Sequence, residues 1–307
     1  MNRLSIFIFC LLFHNVGFAQ QEQIYTHYDM NSLSVNPAYA GSNAKTTVSL
    51  LSRRQWTSLS GAPNYNTLTA SHALNNDFAM GLTVKQGSIG EFKNTSPLNE
   101  MNVSVNLAYH KTLTNKLRLA VGLKLGYFNY SFDISKLDLY QNIDPIFSQR
   151  AYNINAPSTG FGTYLYSENS FIGFSCPQMI FIKSDETNYS NINHYQVTAG
   201  HVYKITNDEG VKFTTQIRYT ADAPMQMDFN THYFKDNIGS VGLFYRTEGD
   251  VGLMFMGEIK KNLKLFYSWD SKIKPINEYV RYSHEFGLQY SIPYAKTINR
   301  IIVPRFF

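Results

Sequence analysis

Cysteine is almost absent. Of 307 residues only Cys10 and Cys176 are cysteine. Cys10 lies inside an N-terminal apolar run, so removal of that run leaves one thiol and no internal disulfide scaffold. Charge is also scarce: Asp, Glu, Lys and Arg make up 16% of the chain, against about 25% in typical soluble domains. The net charge of +5 is small for the length, and no basic run of the nucleic-acid-binding kind occurs. Beyond the leader there is no run of 18 apolar residues, and mean hydropathy is −0.25. Together these exclude a bundle of transmembrane helices. G-x-S-x-G, H-E-x-x-H, P-loop and C-x-x-C motifs are all missing, so neither an enzyme nor a cofactor or metal site is expected. Of the 8 histidines, His14 falls in the leader and the others are scattered. On a polar strand face such a residue is more often an interior hydrogen-bonding group than a ligand.

Aromatics are abundant, with 22 Tyr and 22 Phe. They accompany a two-residue period. Along Leu117–Tyr127 one face carries Leu117, Leu119, Val121, Leu123, Leu125 and Tyr127, and the other Arg118, Ala120, Gly122, Lys124 and Gly126. Successive strand side chains point to opposite faces, and a tilted strand needs about 9–11 residues to cross a bilayer. The pattern recurs over Phe78–Lys85, Met101–His110, Val211–Tyr219, Val251–Ile259 and Phe286–Ile292, giving about fourteen strands. Turns near Asn75, Asn115, Asn169, Asn207, Asp236 and Lys261 are short, those near Ser60, Gly90, Asn142, Glu186 and Ile276 are long, and two others are brief. This alternation predicts an all-β, antiparallel transmembrane barrel with both termini in the periplasm. A soluble exported β protein would show similar alternation. Long strands, aromatics near their ends (Tyr109, Tyr127, Tyr203, Tyr219, Trp269, Tyr290) and the missing disulfide favour the membrane. Asp133 to Pro157 reads as a long irregular loop. Pro177, which cannot donate to a ladder, predicts a bulge or an early strand end. Glycines within strands, among them Gly81, Gly122, Gly126 and Gly252, predict barrel curvature or close approach of neighbouring backbone.

Arg3, the apolar run Leu4 to Phe13 and Gly17-Phe18-Ala19 read as a secretory signal cleaved before Gln20. The run is too short for a membrane anchor. The expected organisation is signal peptide 1–19, periplasmic N-terminal segment 20–43, barrel 44–292 and periplasmic tail 293–307.

One block has no clean periodicity. Tyr25, Tyr28 and Asn31 precede Asn36-Pro37-Ala38-Tyr39-Ala40-Gly41, with Arg54-Gln55-Trp56 and Gly61-Ala62-Pro63 after it. In order and spacing this resembles the opening of the PorP/SprF family, outer-membrane proteins of the Bacteroidota type IX secretion and gliding apparatus. The likeness is dense over Gln23 to Ser71. It extends to His284-Glu285 and the terminal Pro304-Arg305-Phe306-Phe307, and in layout it covers the whole mature chain. It departs at His27-Tyr28-Asp29, where a glutamine or another aromatic is more usual. The resemblance implies a non-enzymatic protein of the Gram-negative outer membrane, in contact with its lipid. The implied partners are secreted, adhesin-like cargo, held through a C-terminal sorting domain, and other type IX envelope components. The Asn36–Gly41 block then reads either as a turn that seats the segment under or inside the first strand or as a docking segment for the machinery. Trp56 reads as an interfacial anchor or a cargo contact. Two alternatives stand beside this: a substrate-specific outer-membrane channel for small solutes, and an outer-membrane hydrolase built on a pair such as His232 and Asp228.

Overall fold

The computed structural model describes residues 23–90, 96–133, 151–181, 193–221, 223–273, 281–293 and 302–304. Fourteen strands form one closed antiparallel barrel. In chain order they are β1 (Lys45–Arg54), β2 (Asn64–Ala73), β3 (Phe78–Ile89), β4 (Leu98–Thr114), β5 (Leu117–Asp133), β6 (Ala151–Tyr166) and β7 (Ser170–Ile180). Then come β8 (His194–Lys204), β9 (Glu209–Thr220), β10 (Gln226–Lys235), β11 (Gly239–Arg246), β12 (Asp250–Lys260), β13 (Leu263–Lys272) and β14 (Ser283–Pro293). Each strand pairs with its sequence neighbours, and β14 closes on β1 from Lys45↔Pro293 to Arg54↔His284. Closure leaves no unpaired edge, the condition for an all-β chain in hydrocarbon.

The direction of the two faces decides between membrane and water. Leu125 is 52% exposed and Lys124, its neighbour, 2%. The same inversion holds at Leu50, Leu82, Val105, Phe213 and Leu243, which face out, and at Arg53, Arg118, Lys212, Arg218 and Arg246, which are buried within. A water-soluble barrel would place these the other way round. Only a surrounding of lipid tails makes an apolar outside and a charged inside favourable.

The connections alternate between the two ends, and residues 247–249 are a brief one among the longer set. Residues 74–77, 115–116, 167–169, 205–208, 236–238 and 261–262 join strands at one end, here the short-turn end. The strand ends of the other seven connections lie at the opposite, long-loop end, where residues 55–63 and 247–249 are described throughout. The sites expected near Asn142, Glu186 and Ile276 lie outside the described residues. Pro177 sits at the expected irregularity: the β6–β7 register shifts between Thr159 and Phe161, and β7 pairs with β8 only from Ser170 to Ser175.

One expectation is corrected. The loop predicted from Asp133 to Pro157 is shorter, because β6 begins at Ala151 and pairs with β5 as far as Asp133. The period is present but inverted: Asn153 and Asn155 face out, Ile154 and Ala156 face in. Outside, Asn129 donates to both Asn153 (2.8 Å) and Asn155 (2.7 Å); inside, Phe128, Ala156 and Ile180 pack together. Polar outward side chains mark a strand that has run past the apolar belt, so a search for outward apolar residues loses it there.

The barrel's interior core is the chain's own N-terminus. Ile24, Tyr25, Tyr28, Leu33, Ala38, Tyr39 and Ala40 are all buried. They belong to a segment that enters β1 through a short helix, α1 (Ser32–Val35), and a 3-10 turn, Pro37–Tyr39.

Candidate functional site

The segment traverses the lumen. Gln23 donates to Glu100 (2.6 Å) toward the long-loop end. Gly41 N–H donates to Ser71 (2.6 Å) close to the short-turn end, where the chain turns into β1. Three sets of contacts hold it.

The first is an ionic clasp. Glu285, fully buried, accepts the backbone N–H groups of Thr26 (2.8 Å) and His27 (2.7 Å). Arg53 donates to the Thr26 hydroxyl (3.0 Å), pairs with Asp270 at 2.8 Å and reaches Glu285 at 3.4 Å. Asn230 donates to the Thr26 carbonyl (3.0 Å). A carboxylate that accepts two backbone amides in a dry site makes the stronger, charge-assisted kind of hydrogen bond. Glu285→Ala therefore strands two amides and part of the Arg53 charge. A loss of about 3 kcal/mol is expected, read as faster amide hydrogen exchange over residues 24–28 than in the parent protein.

The second set lies midway. Lys212 and Asp29 form a buried ion pair at 2.5 Å, and the Tyr28 hydroxyl donates to Thr214 (3.0 Å). Asn31 is buried in the turn before α1, where its carbonyl accepts from Ser34 N–H (3.0 Å).

The third set seats Asn36-Pro37-Ala38-Tyr39-Ala40-Gly41. Asn36 is extended (φ −148°, ψ 117°), as a residue before proline must be. Its side-chain oxygen caps the 3-10 turn by accepting from Ala38 N–H (2.9 Å), while its amide nitrogen donates to the carbonyls of Thr163 (2.9 Å) and Phe174 (3.3 Å). Beneath it lies a floor of three glycines on consecutive strands: Gly122 of β5, its register partner Gly162 of β6, and Gly173 of β7. A Cβ on Gly122 would stand 2.2 Å from Ala38 N, and one on Gly162 2.1 Å from the Asn36 oxygen. Of the two readings of in-strand glycine, close backbone approach holds at Gly122. Tyr39 packs on Tyr164 (centroids 4.0 Å apart) and pairs with the Thr198 hydroxyl at 3.2 Å. The Ala40 carbonyl meets His110 Nε2 at 2.7 Å, so this histidine is an interior hydrogen-bonding group. Gly41 turns at φ +64° between Ala73 and Ala79, a conformation that favours glycine.

The second half of the block is elsewhere. Arg54 is exposed at the end of β1. Gln55 N–H donates to the Pro63 carbonyl (2.9 Å), Trp56 N–H to Ser283 (3.4 Å), and the Gly61 carbonyl accepts from Gly90 (2.7 Å). Trp56 and Gly61 both adopt positive φ, 52° and 72°. These residues build the long-loop rim, far from the Asn36 turn. Sequence reasoning missed the residues that hold the segment: Arg53, Asp270, Gly162, Gly173 and Thr163. Glu285 was visible only within the His284-Glu285 resemblance.

A wall of buried charge completes the lumen. Asp228 receives Arg218 (2.9 Å) and Arg246 (3.0 Å); Arg246 also reaches Asp250 (3.2 Å), which meets Lys272 (2.9 Å). Asp228 is thus engaged by two guanidiniums, and no bond joins it to His232 among the described residues, which removes the support for a hydrolytic pair. Among the described residues no group of His, Cys, Asp and Glu is placed to hold a metal ion.

A family model described as type IX secretion system membrane protein PorP/SprF matches residues 17–290. No curated protein matches. Among solved structures, the TodX monoaromatic hydrocarbon channel deltaS2 mutant is similar at 13% identity and TM-score 0.53, over 86% of this chain and 94% of that one. The TodX deltaS2S3 mutant is similar at 12% identity and TM-score 0.50, with the same coverage. The Pseudomonas putida toluene transporter TodX is similar at 12% identity and TM-score 0.46, over 91% of this chain and 96% of that one. At these identities the likeness is one of fold.

Proposed function

Since the chain belongs to the PorP/SprF family of type IX secretion system membrane proteins, we propose that this outer-membrane barrel is a non-enzymatic scaffold that binds specific secreted cargo through the cargo's C-terminal sorting domain. It anchors that cargo at the cell surface or helps to secrete it. The observation that carries this reading is the filled lumen. A segment clasped at Glu285, Lys212 and the glycine floor runs through the barrel; in this reading it obstructs the lumen to solutes, and function falls to the rims. The long-loop rim, with Trp56 and Gly61, faces outward and offers the cargo surface. The short-turn end faces the periplasm and meets other type IX envelope components. In this reading residues 23–43 are a lumenal segment rather than a free periplasmic arm.

Two measurements test it. A mild-detergent pull-down of the tagged protein from native outer membrane is expected to recover a large exported protein with a C-terminal sorting domain. Repeated recovery of the barrel alone, under conditions that preserve envelope complexes, refutes cargo binding. For orientation, a membrane-impermeant maleimide on intact cells is expected to label Ser60→Cys and to spare Lys116→Cys until the cells are permeabilised. Cys176 is fully buried and gives no background. The reverse labelling pattern would invert the assignment of the two rims.

A further inference from the structure

Below Asp29 and Met30 the segment does not fill the barrel. A cavity of about 740 Å³ opens there toward the short-turn end and reaches the turns at Asn207, Asn237 and Asn262. No residue of the ionic wall or of the Glu285 clasp lines it. It forms a cup with Asp29, Met30, Ser32 and Leu33 of the segment at its inner end, and Val303 and Pro304 also line it. Its volume falls in the range of ligand sites, about 300–1,000 Å³.

The cup is cationic. Lys45, Lys204, Lys212, Lys235, Lys261 and Lys264 line it, against the carboxylates of Asp29, Asp236 and Glu258, so six positive charges face three negative ones. Lys212 is matched by Asp29, Lys235 by Glu209 and Lys204 by Glu168. Lys45, Lys261 and Lys264 have no ion pair within 4 Å among the described residues, and Lys264 stands opposite Glu258 in the β12–β13 register. Each follows from the strand pattern: Lys45 begins β1 on the face of the buried Thr47 and Ser49, Lys264 shares the face of the buried Phe266, and Lys261 sits in the β12–β13 turn. An excess of like charge gathered in one concavity focuses an attractive field on anions.

We infer that this cup receives an acidic peptide segment presented by an envelope partner from the short-turn side. The segment residues across the inner end argue for docking rather than passage. Lys45, Lys261 and Lys264 stand on separate elements, from the mouth at Lys261 to the strand position of Lys264, so they suit carboxylates spaced along an extended chain. Between them hydroxyl and amide side chains such as Thr47, Ser49, Gln289 and Ser291 offer partners to a peptide backbone. The inference rests on the reading that this end meets other envelope components.

The test uses the full-length protein in detergent micelles and a fluorescein-labelled hexaglutamate probe, followed by anisotropy. Saturable binding is expected at low salt. It should weaken steeply toward physiological ionic strength, where screening acts over about 8 Å. The variant K45Q/K261Q/K264Q is expected to bind about tenfold more weakly or worse, while Lys111→Gln, on the outer face at the same end, leaves binding unchanged. Hexaglutamine is expected not to bind. Heat-shifted electrophoretic mobility checks that the triple variant is folded; if it is not, Lys45→Glu alone carries the test and is expected to weaken the probe. No saturable binding at low salt, or equal binding by the lysine variants, overturns the inference. Displacement by citrate as effective as by unlabelled hexaglutamate also overturns it, by reassigning the cup to small anions. The pull-down is independent: cargo recovered without probe binding refutes the cup alone, and probe binding without cargo refutes the cargo reading alone.

Discussion

Gly122→Val is expected to turn a closed barrel into an open one. The substituent would begin 2.2 Å from Ala38 N and 2.4 Å from the Pro37 carbonyl carbon. Both are backbone atoms, so no rotamer change relieves the overlap. One side must move. Gly122 is held in the wall between Ala108 of β4 and Gly162 of β6 by continuous ladders, whereas the Asn36 turn is held by side-chain contacts. The segment is therefore the side that yields. Leaving its seat costs the burial of Tyr39, about 2 kcal/mol, and the Asn36 bonds to Thr163 and Phe174, about 1 kcal/mol each. In planar bilayers the parent protein is expected to show no steady conductance, and Gly122→Val and Gly162→Val to show stable open steps. Gly257→Ala is the matched control: a Cβ there meets nothing within 4 Å, so it should stay closed and as stable as the parent. If neither floor variant folds, deletion of residues 24–42 asks the same question of the lumen directly. Folded floor variants that remain closed would show that the glycine floor does not hold the plug.

The same floor marks where reading the sequence stops being sufficient. A bilayer imposes one rule on every strand, apolar outward, so Leu123 and Leu125 declare their face wherever they stand, and the strand count and the alternation of turns follow. The lumen imposes no such rule. Its occupant is recognised by residues that look like any inward strand position: Thr26 meets Glu285 across 259 residues of sequence, and Asn36 meets Thr163 across 127. Asn36-Pro37 announces a turn through the restriction that proline places on its neighbour, but nothing local to it names Gly122, Gly162 and Gly173 as its seat. Glycine in a strand has several uses, and only the register that pairs Gly122 with Gly162 turns two of them into one surface. The β6 extension was lost for a related reason: Asn153 and Asn155 lie beyond the apolar belt, where the rule that makes the other strands legible no longer applies. Arg54-Gln55-Trp56 and Asn36–Gly41 stand close in the chain, yet β1 carries the first to the opposite rim of the barrel.

Asp228→Ala is expected to be among the most destabilising single changes in the wall. Asp228 is nearly inaccessible and accepts from Arg218 through both terminal nitrogens, and from Arg246 through Nε and a terminal nitrogen. Removing it leaves two buried guanidiniums facing each other across β10. Breaking a buried pair from one side costs about 3–5 kcal/mol, because the remaining charge keeps its desolvation penalty without its partner. Arg246 would retain Asp250 (3.2 Å), while Arg218 would retain, among the described residues, only the neutral Gln216 and Gln226. Arg218 therefore carries most of the loss. Lys204→Ala, which removes the half-exposed pair with Glu168, is expected to cost at most about 1 kcal/mol. The double change Asp228→Ala with Arg218→Met is expected to recover a large part of the loss, since an apolar side chain of similar length no longer needs the counter-ion. A double-mutant cycle in urea unfolding from liposomes measures this coupling. If Asp228→Ala shifts stability by less than about 1 kcal/mol, water reaches the wall and solvates the guanidiniums, and the lumen on that side is wet beside the plug rather than sealed by ion pairs.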